Sequence, residues 1–123
     1  MSRQRVVVGV GLSSAATSDE VRQLVVDVLD RHGLPFPPTA IATRARFVDD
    51  PRLDLGCRVI GVNDDELLAT SAPVSRTLGI AARVAETAAM LATRPRGRLL
   101  GPSQRSAHAT AAVAVTYAGR PSR

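Results

Sequence analysis

The apolar residues of this chain fall into short runs of two kinds. Val6, Val7, Val8 and Val10 form a β-branched run with no polar interruption, the pattern of a strand covered on both faces. From Val21 the spacing changes: Val21, Leu24, Val25, Val28 and Leu29 recur at helical intervals, and Gly33 ends the run. Thr17 and Glu20 fit a capping box, the hydroxyl covering an early amide while the carboxylate reaches back. Between strand and helix, Gly9 and Gly11 let the backbone bend sharply and approach another group closely, and Ser13 and Ser14 add hydroxyls. Strand, glycine turn and helix start together expose free amides and the positive end of a helix dipole. A ligand is expected there first.

The same two periods continue along the chain. Leu34 to Pro38 is a proline-rich connector that excludes helix. Thr39 to Thr43 and Arg58 to Val62 read as short strands, separated by the polar loop Arg44 to Asp50 and a brief helix from Pro51 to near Gly56. Asn63 or Asp64 caps a short helix over Asp65 to Ala69, Ser71 to Ser75 is a connector, and Arg76 to Leu78 forms one turn stopped by Gly79. Arg83 to Thr93 is a helix whose narrow apolar face is Val84, Ala85, Ala88, Ala89, Leu91 and Ala92, small enough to lie close on a sheet; Pro95 and Gly97 end it. Arg98 to Gly101 is a fourth strand, Pro102 to His108 a polar loop, Ala109 to Tyr117 an interior strand, and Gly119 to Arg123 a frayed tail. Strands alternating with helices predict one α/β domain over residues 1–123, three-layer α/β/α, with a mostly parallel or mixed sheet of about five strands.

Composition narrows the function classes. Phe36, Phe47 and Tyr117 are the only aromatics, so the core is built from Val, Leu, Ile and Ala, and a homodimer would relieve its small buried area. The net charge is +5 and all sixteen basic residues are Arg, whose planar fork pairs bidentately with carboxylate or phosphate. With Cys57 alone, neither an internal disulfide nor a cysteine metal cluster is expected. No apolar run is long enough to span a bilayer and no signal peptide opens the chain, so a cytoplasmic protein without membrane attachment is expected. Gly9 and Gly11 lack the third glycine of a dinucleotide fingerprint, since Ser14 stands there, and Thr43 and Arg44 replace the acid that would hold a ribose. His32 suits a helix C-terminus, and His108 has no second His or Cys nearby, so no metal site is expected. There is no nucleophile elbow, and nucleic-acid binding lacks aromatic platforms and a basic run.

Four blocks in order resemble the cobalamin biosynthesis CobE/CbiG C-terminal domain family. They are Val8-Gly-Val-Gly-Leu-Ser-Ser14, the stretch from Ala42 through Asp49-Asp-Pro-Arg-Leu53, the stretch from Gly79 through Val84-Ala-Glu-Thr-Ala-Ala-Met90, and Leu99-Leu-Gly-Pro-Ser-Gln-Arg-Ser-Ala-His-Ala-Thr-Ala-Ala-Val-Ala114. Two positions depart from the pattern: Phe47 and Ser103 stand where the family usually has Lys, with Arg44, Arg46 and Arg105 nearby to supply positive charge. The resemblance implies a role in cobalamin biosynthesis, with an anionic corrin-ring intermediate as ligand and no cofactor. It also implies that the domain stands alone in one pathway and is fused in the other to cobalt-precorrin-5A hydrolase, which opens a lactone and releases acetaldehyde.

In a doubly wound sheet the loops after the strands gather at one edge. That edge would unite Gly9, Gly11, Ser13, Ser14, Thr43, Arg44, Arg46, Asp49, Ser103, Gln104 and Arg105 as ligand-binding residues. Glu86, inside a helix of small apolar residues, is either a surface group or a buried carboxylate bonded to first-turn amides and able to move a proton. Asp50 is its alternative as general base, although Asp49 and Asp50 also suit the cap of a helix at Pro51. Three roles remain open: a binding protein for the corrin intermediate, a lactone hydrolase using Glu86 or Asp50, and a non-catalytic domain docking on a methyltransferase of the pathway.

Overall fold

A computed structural model describes residues 4–63, 65–66, 80–93, 97–101 and 103–117. Its centre is β1, Gln4–Leu12, with α1 (Ser18–Arg31), β2 (Ala40–Arg44), β3 (Arg58–Val62), α2 (Ile80–Ala92), β4 (Arg98–Leu99), β5 (Gln104–Arg105) and β6 (Ala109–Tyr117) following. The strands form one six-stranded sheet in the order β3-β2-β1-β6-β4, with β5 also on β6. β1, β2 and β3 are parallel, whereas β6 runs antiparallel to β1, β4 and β5. The strand ends of β1, β2, β3 and β5 therefore emerge at one edge, beside the start of β6.

The uninterrupted valine run predicted a strand covered twice, and its two faces divide by parity. Val6, Val8 and Val10 join Ile41, Val113 and the α1 residues Val21, Leu24, Val25, Val28 and Leu29 in one cluster. Val7 lies with Ala40, Ala42, Val62 and the α2 residue Ala88 in the other. One helix covers each face, giving the three layers. Each fully buried Val or Leu of α1 contributes roughly 1.5–3 kcal/mol of transfer free energy, and α2 contributes less bulk but a closer approach. A β-carbon on Gly9 would stand 1.9 Å from the Ala85 carbonyl oxygen and 2.9 Å from the Ala89 nitrogen. Only a glycine admits the helix backbone at that distance.

Both ends of α1 follow from local sequence. The Thr17 hydroxyl accepts the Glu20 amide at 3.1 Å, and Gly33, at φ 66°, closes a Schellman motif in which the Leu34 amide donates to Leu29 and the Gly33 amide to Asp30. The sheet corrects several expectations. β1 does not turn at its glycines but stays paired with β6 at every position from Gln4 to Leu12. The helix expected from Arg83 to Thr93 begins three residues earlier, at Ile80, and the helix from Pro51 is a single 3-10 turn, Pro51–Leu53. A second such turn, Ala45–Phe47, lies in the loop after β2. The fourth strand stops at Leu99 and resumes at Gln104–Arg105 inside the expected polar loop, because β6 is long enough to pair with both pieces. The sheet thus has six strands where about five were expected.

Asn63 caps the turn after β3, its Oδ1 accepting the Glu66 amide at 2.9 Å. The remainder of the helix expected at Asp65 to Ala69, the connector at Ser71 to Ser75, the turn at Arg76 to Leu78 and the tail from Gly119 lie outside the described residues.

Candidate functional site at the strand-end edge

Three loops meet at the edge where β1, β2 and β5 end, and Ser13 is where they join. Its amide and hydroxyl both donate to the His108 carbonyl at 3.0 Å, tying the β1–α1 loop to the start of β6. Its own carbonyl accepts Arg52 Nη1 at 3.0 Å, and the same nitrogen reaches the Ala16 carbonyl at 3.0 Å. Arg52 also grips Asp50 as a fork, Nε to Oδ1 at 3.0 Å and Nη2 to Oδ2 at 2.7 Å, while the Arg52 amide donates to Oδ1 at 2.9 Å. Asp50 is at once the cap of the turn at Pro51 and the counter-charge of Arg52. Its hydrogen bonds from the guanidinium hold the carboxyl below the ordinary range and raise Arg52 further.

Glu20 makes the third tie. Thr17 covers the Glu20 amide, and the Glu20 carboxylate reaches back to the Thr17 amide only as the weakest of its partners. It crosses to the β5–β6 turn, accepting the Ser106 hydroxyl and the His108 amide, the latter at 2.6 Å. Two donors aimed at one charged oxygen outweigh a single return bond, and they lower its proton affinity, the Ser106 hydrogen bond most of all.

On the face covered by α2, one row of residues crosses the sheet at this edge. Thr110 of β6 is paired with Gly11 on one side and with Arg105 of β5 on the other. Arg44 follows Ala42, the partner of Gly9, by two residues, so it continues the row from β2 at the level of Gly11. Two guanidinium side chains thus bracket Gly11 and Thr110. Gly11 and Thr110 are buried, Arg44 is half-buried and Arg105 exposed. Two residues before Arg105, the Ser103 amide donates to the buried carboxylate of Glu86 at 2.8 Å. Glu86 is therefore the buried alternative of the two readings, though its backbone partner belongs to the link between β4 and β5 and not to a first helical turn.

The other anticipated residues take separate places. Gly9 lies under α2 rather than at the edge. Thr43 is buried on the α1 face, its hydroxyl donating to the Val10 carbonyl at 2.9 Å and stitching β2 to β1. Ser103 faces Glu86, and its own buried hydroxyl has no hydrogen-bond partner among the described residues. Gln104 faces the opposite side, where its amide oxygen, in the orientation its neighbours require, accepts Arg31 Nε at 2.8 Å and Nη2 at 3.1 Å. Ser14, Arg46 and Asp49 are exposed on the loops, with Arg46 stacked over the Phe47 ring at 5.0 Å. Phe47 itself packs against the α1-side core.

Sequence reasoning missed Arg52 and Thr110. The signal for Arg52 was its place two residues after the capping Asp50, within reach of the same carboxylate. Thr110 had none, because the β6 register that places it is non-local. Cys57 is half-buried, and burial pushes its thiol up, away from the reactive thiolate. Among the described residues no cluster of His, Cys, Asp and Glu is built to hold a metal ion, and no helix is long and apolar enough to cross a membrane.

The relatives of the chain share this frame. A family model described as "Cobalamin synthesis G C-terminus" matches residues 6–114. The crystal structure of CobE, a protein from the cobalamin (vitamin B12) biosynthetic pathway, superposes with a TM-score of 0.79 at 22% identity, over 92% of this chain and 91% of that one, a likeness of fold. Cobalamin biosynthesis protein chiG from Agrobacterium tumefaciens gives 0.68 at 25% identity, over 89% and 96%. A protein described as a cobalamin biosynthesis protein G homolog from Sulfolobus solfataricus gives 0.72 at 25% identity, over 90% of this chain but 36% of that longer one. No curated protein matches the chain. With almost its whole length inside the matched span, the chain belongs to the cobalamin synthesis G C-terminal family, a family of cobalamin biosynthesis.

Proposed function

We propose that the chain binds an anionic corrin-ring intermediate of cobalamin biosynthesis at the strand-end edge, beside Arg44, Arg46 and Arg105. The observation that carries the reading is the row in which Arg44 and Arg105 stand on either side of Gly11 and Thr110. Corrin precursors are flat apolar rings fringed with carboxylates, and separated guanidinium groups match separated carboxylates with charge-assisted hydrogen bonds. Loops locked together by Ser13, Arg52 and Glu20 lower the ordering cost of binding such a ligand.

A second reading, hydrolysis of the ring's lactone, is favoured by one observation, the buried carboxylate of Glu86 close to that row. Asp50 is the weaker base, since its carboxylate is committed to Arg52. The test is a visible-absorption titration of the purified chain with corrin precursors, repeated with Arg105→Ala and accompanied by an acetaldehyde assay. A spectral shift without acetaldehyde, weakened by Arg105→Ala, supports binding. Acetaldehyde release that is lost in Glu86→Gln supports hydrolysis. No shift with any ring removes both and leaves docking on another enzyme of the pathway.

A further inference from the structure

Arg52 carries more contacts than a surface arginine requires, and all of them lead to the edge. Its side chain is only 19% exposed and its Asp50 partner 16%. The fork engages one carboxylate, and the remaining nitrogen spans the carbonyls of Ser13 and Ala16. These two carbonyls bracket Ser14 and Ala15, the exposed tip of the β1–α1 loop. Because Asp50 neutralises Arg52, its charge is not what an anionic ligand meets; its geometry is.

We propose that Arg52 is a positioning residue: it fixes the β1–α1 loop so that Ser14 and the neighbouring amides sit beside the Arg44–Gly11–Thr110–Arg105 row, and Asp50 acts through it. The identity of the ligand rests on the ring-binding reading above. Lysine cannot replace the fork, because a single ammonium cannot satisfy a bidentate carboxylate and two carbonyls from one stem. Arg52 and Arg105 must therefore fail in different ways. Loss of Arg105 removes a charge that meets the ligand, whereas Arg52→Lys loosens the loop and leaves every charge in place.

The test uses the full chain with cobyrinic acid, a corrin polycarboxylate, as probe. Amide hydrogen exchange of the free protein is measured for wild type, Arg52→Lys, Arg52→Gln and Arg105→Ala, followed by the affinity of each for the probe at several salt concentrations. Both Arg52 variants are expected to speed exchange at residues 13–17 while the amides of residues 24–29 keep their protection, and to weaken binding about tenfold; Arg52→Lys, which keeps the charge opposite Asp50, is expected to keep the wild-type salt dependence. Arg105→Ala is expected to leave exchange unchanged and to flatten the salt dependence. Arg52→Lys with wild-type exchange at 13–17, or wild-type affinity in both Arg52 variants, overturns this inference alone. A wild-type chain that ignores cobyrinic acid overturns the ring-binding reading together with it.

Discussion

Gly9 lies directly beneath the Ala85 carbonyl, so close that a β-carbon there would stand 1.9 Å from the oxygen. This contact sets the distance between α2 and the sheet, and with it the height of Glu86 below the edge. Gly9→Ala cannot be absorbed by a side-chain rotation, because the obstacle is helix backbone. The expected loss of stability is at the upper end of overpacking, about 3 kcal/mol, read from urea midpoints. A variant within 0.5 kcal/mol of wild type, about the scatter of a neutral surface change, would show that the helix is not held this close.

Glu86 is fully buried, and its carboxylate satisfies the Ser103 amide. Glu86→Ala leaves that amide without its acceptor and opens a void, a combined loss of about 3 kcal/mol. Glu86→Gln keeps an oxygen in the same place and should lose less than half as much. Equal losses in the two variants would mean that the hydrogen bond to Ser103 contributes little.

Asp50 and Glu20 both hold their protons less tightly in the folded chain than in the unfolded one. Groups with a depressed native pKa contribute stability that is complete above the unfolded value and disappears as pH falls through the native one. The urea midpoint should therefore drop as pH falls below about 4 to 5, and Asp50→Asn and Glu20→Gln should each narrow their gap from wild type over that range. Parallel curves for wild type and both variants would contradict the assigned ties.

Thr17 tests the helix start by itself. Its hydroxyl covers the Glu20 amide, and Thr17→Ala should lose about 1 kcal/mol, seen as a lower Tm. Because the Glu20 carboxylate is engaged mainly with Ser106 and His108 and only weakly with the Thr17 amide, the Thr17 and Glu20 losses should be close to additive. Strong coupling between them would restore the reciprocal capping box.

What the sequence made legible is what short-range chemistry decides. The valine run, the spacing of α1, its Thr17 and Gly33 ends and the small-residue face of α2 each depend on residues a few positions apart, and each is found in place. The antiparallel register of β6 on β1 depends on residues about a hundred positions apart, so the row through Gly11 and Thr110 could not be read, while the local hairpin at Gln104–Arg105 was hidden by its polar residues. The glycines mark the same boundary. Gly9 announced a close approach, but the approaching group was a helix from the far half of the chain, not a ligand. Asp50 was legible as a cap, while its engagement by Arg52 and the reach of Arg52 to Ser13 were not. Ser103, Gln104 and Arg105 looked like one contiguous patch, yet strand alternation sends Ser103 toward Glu86 and Gln104 toward Arg31.

Guanidinium groups that recognise a carboxylate-fringed ring at the strand-end edge should distinguish carboxylates from amides on one ring. The most direct measurement is a calorimetric comparison of cobyrinic acid with cobinamide, in which the same ring carries amides in place of carboxylates. Wild type is expected to prefer cobyrinic acid by at least about tenfold at low salt, and Arg105→Ala to erase most of that preference. Equal affinity for the two rings, or a preference untouched by Arg105→Ala, would contradict it.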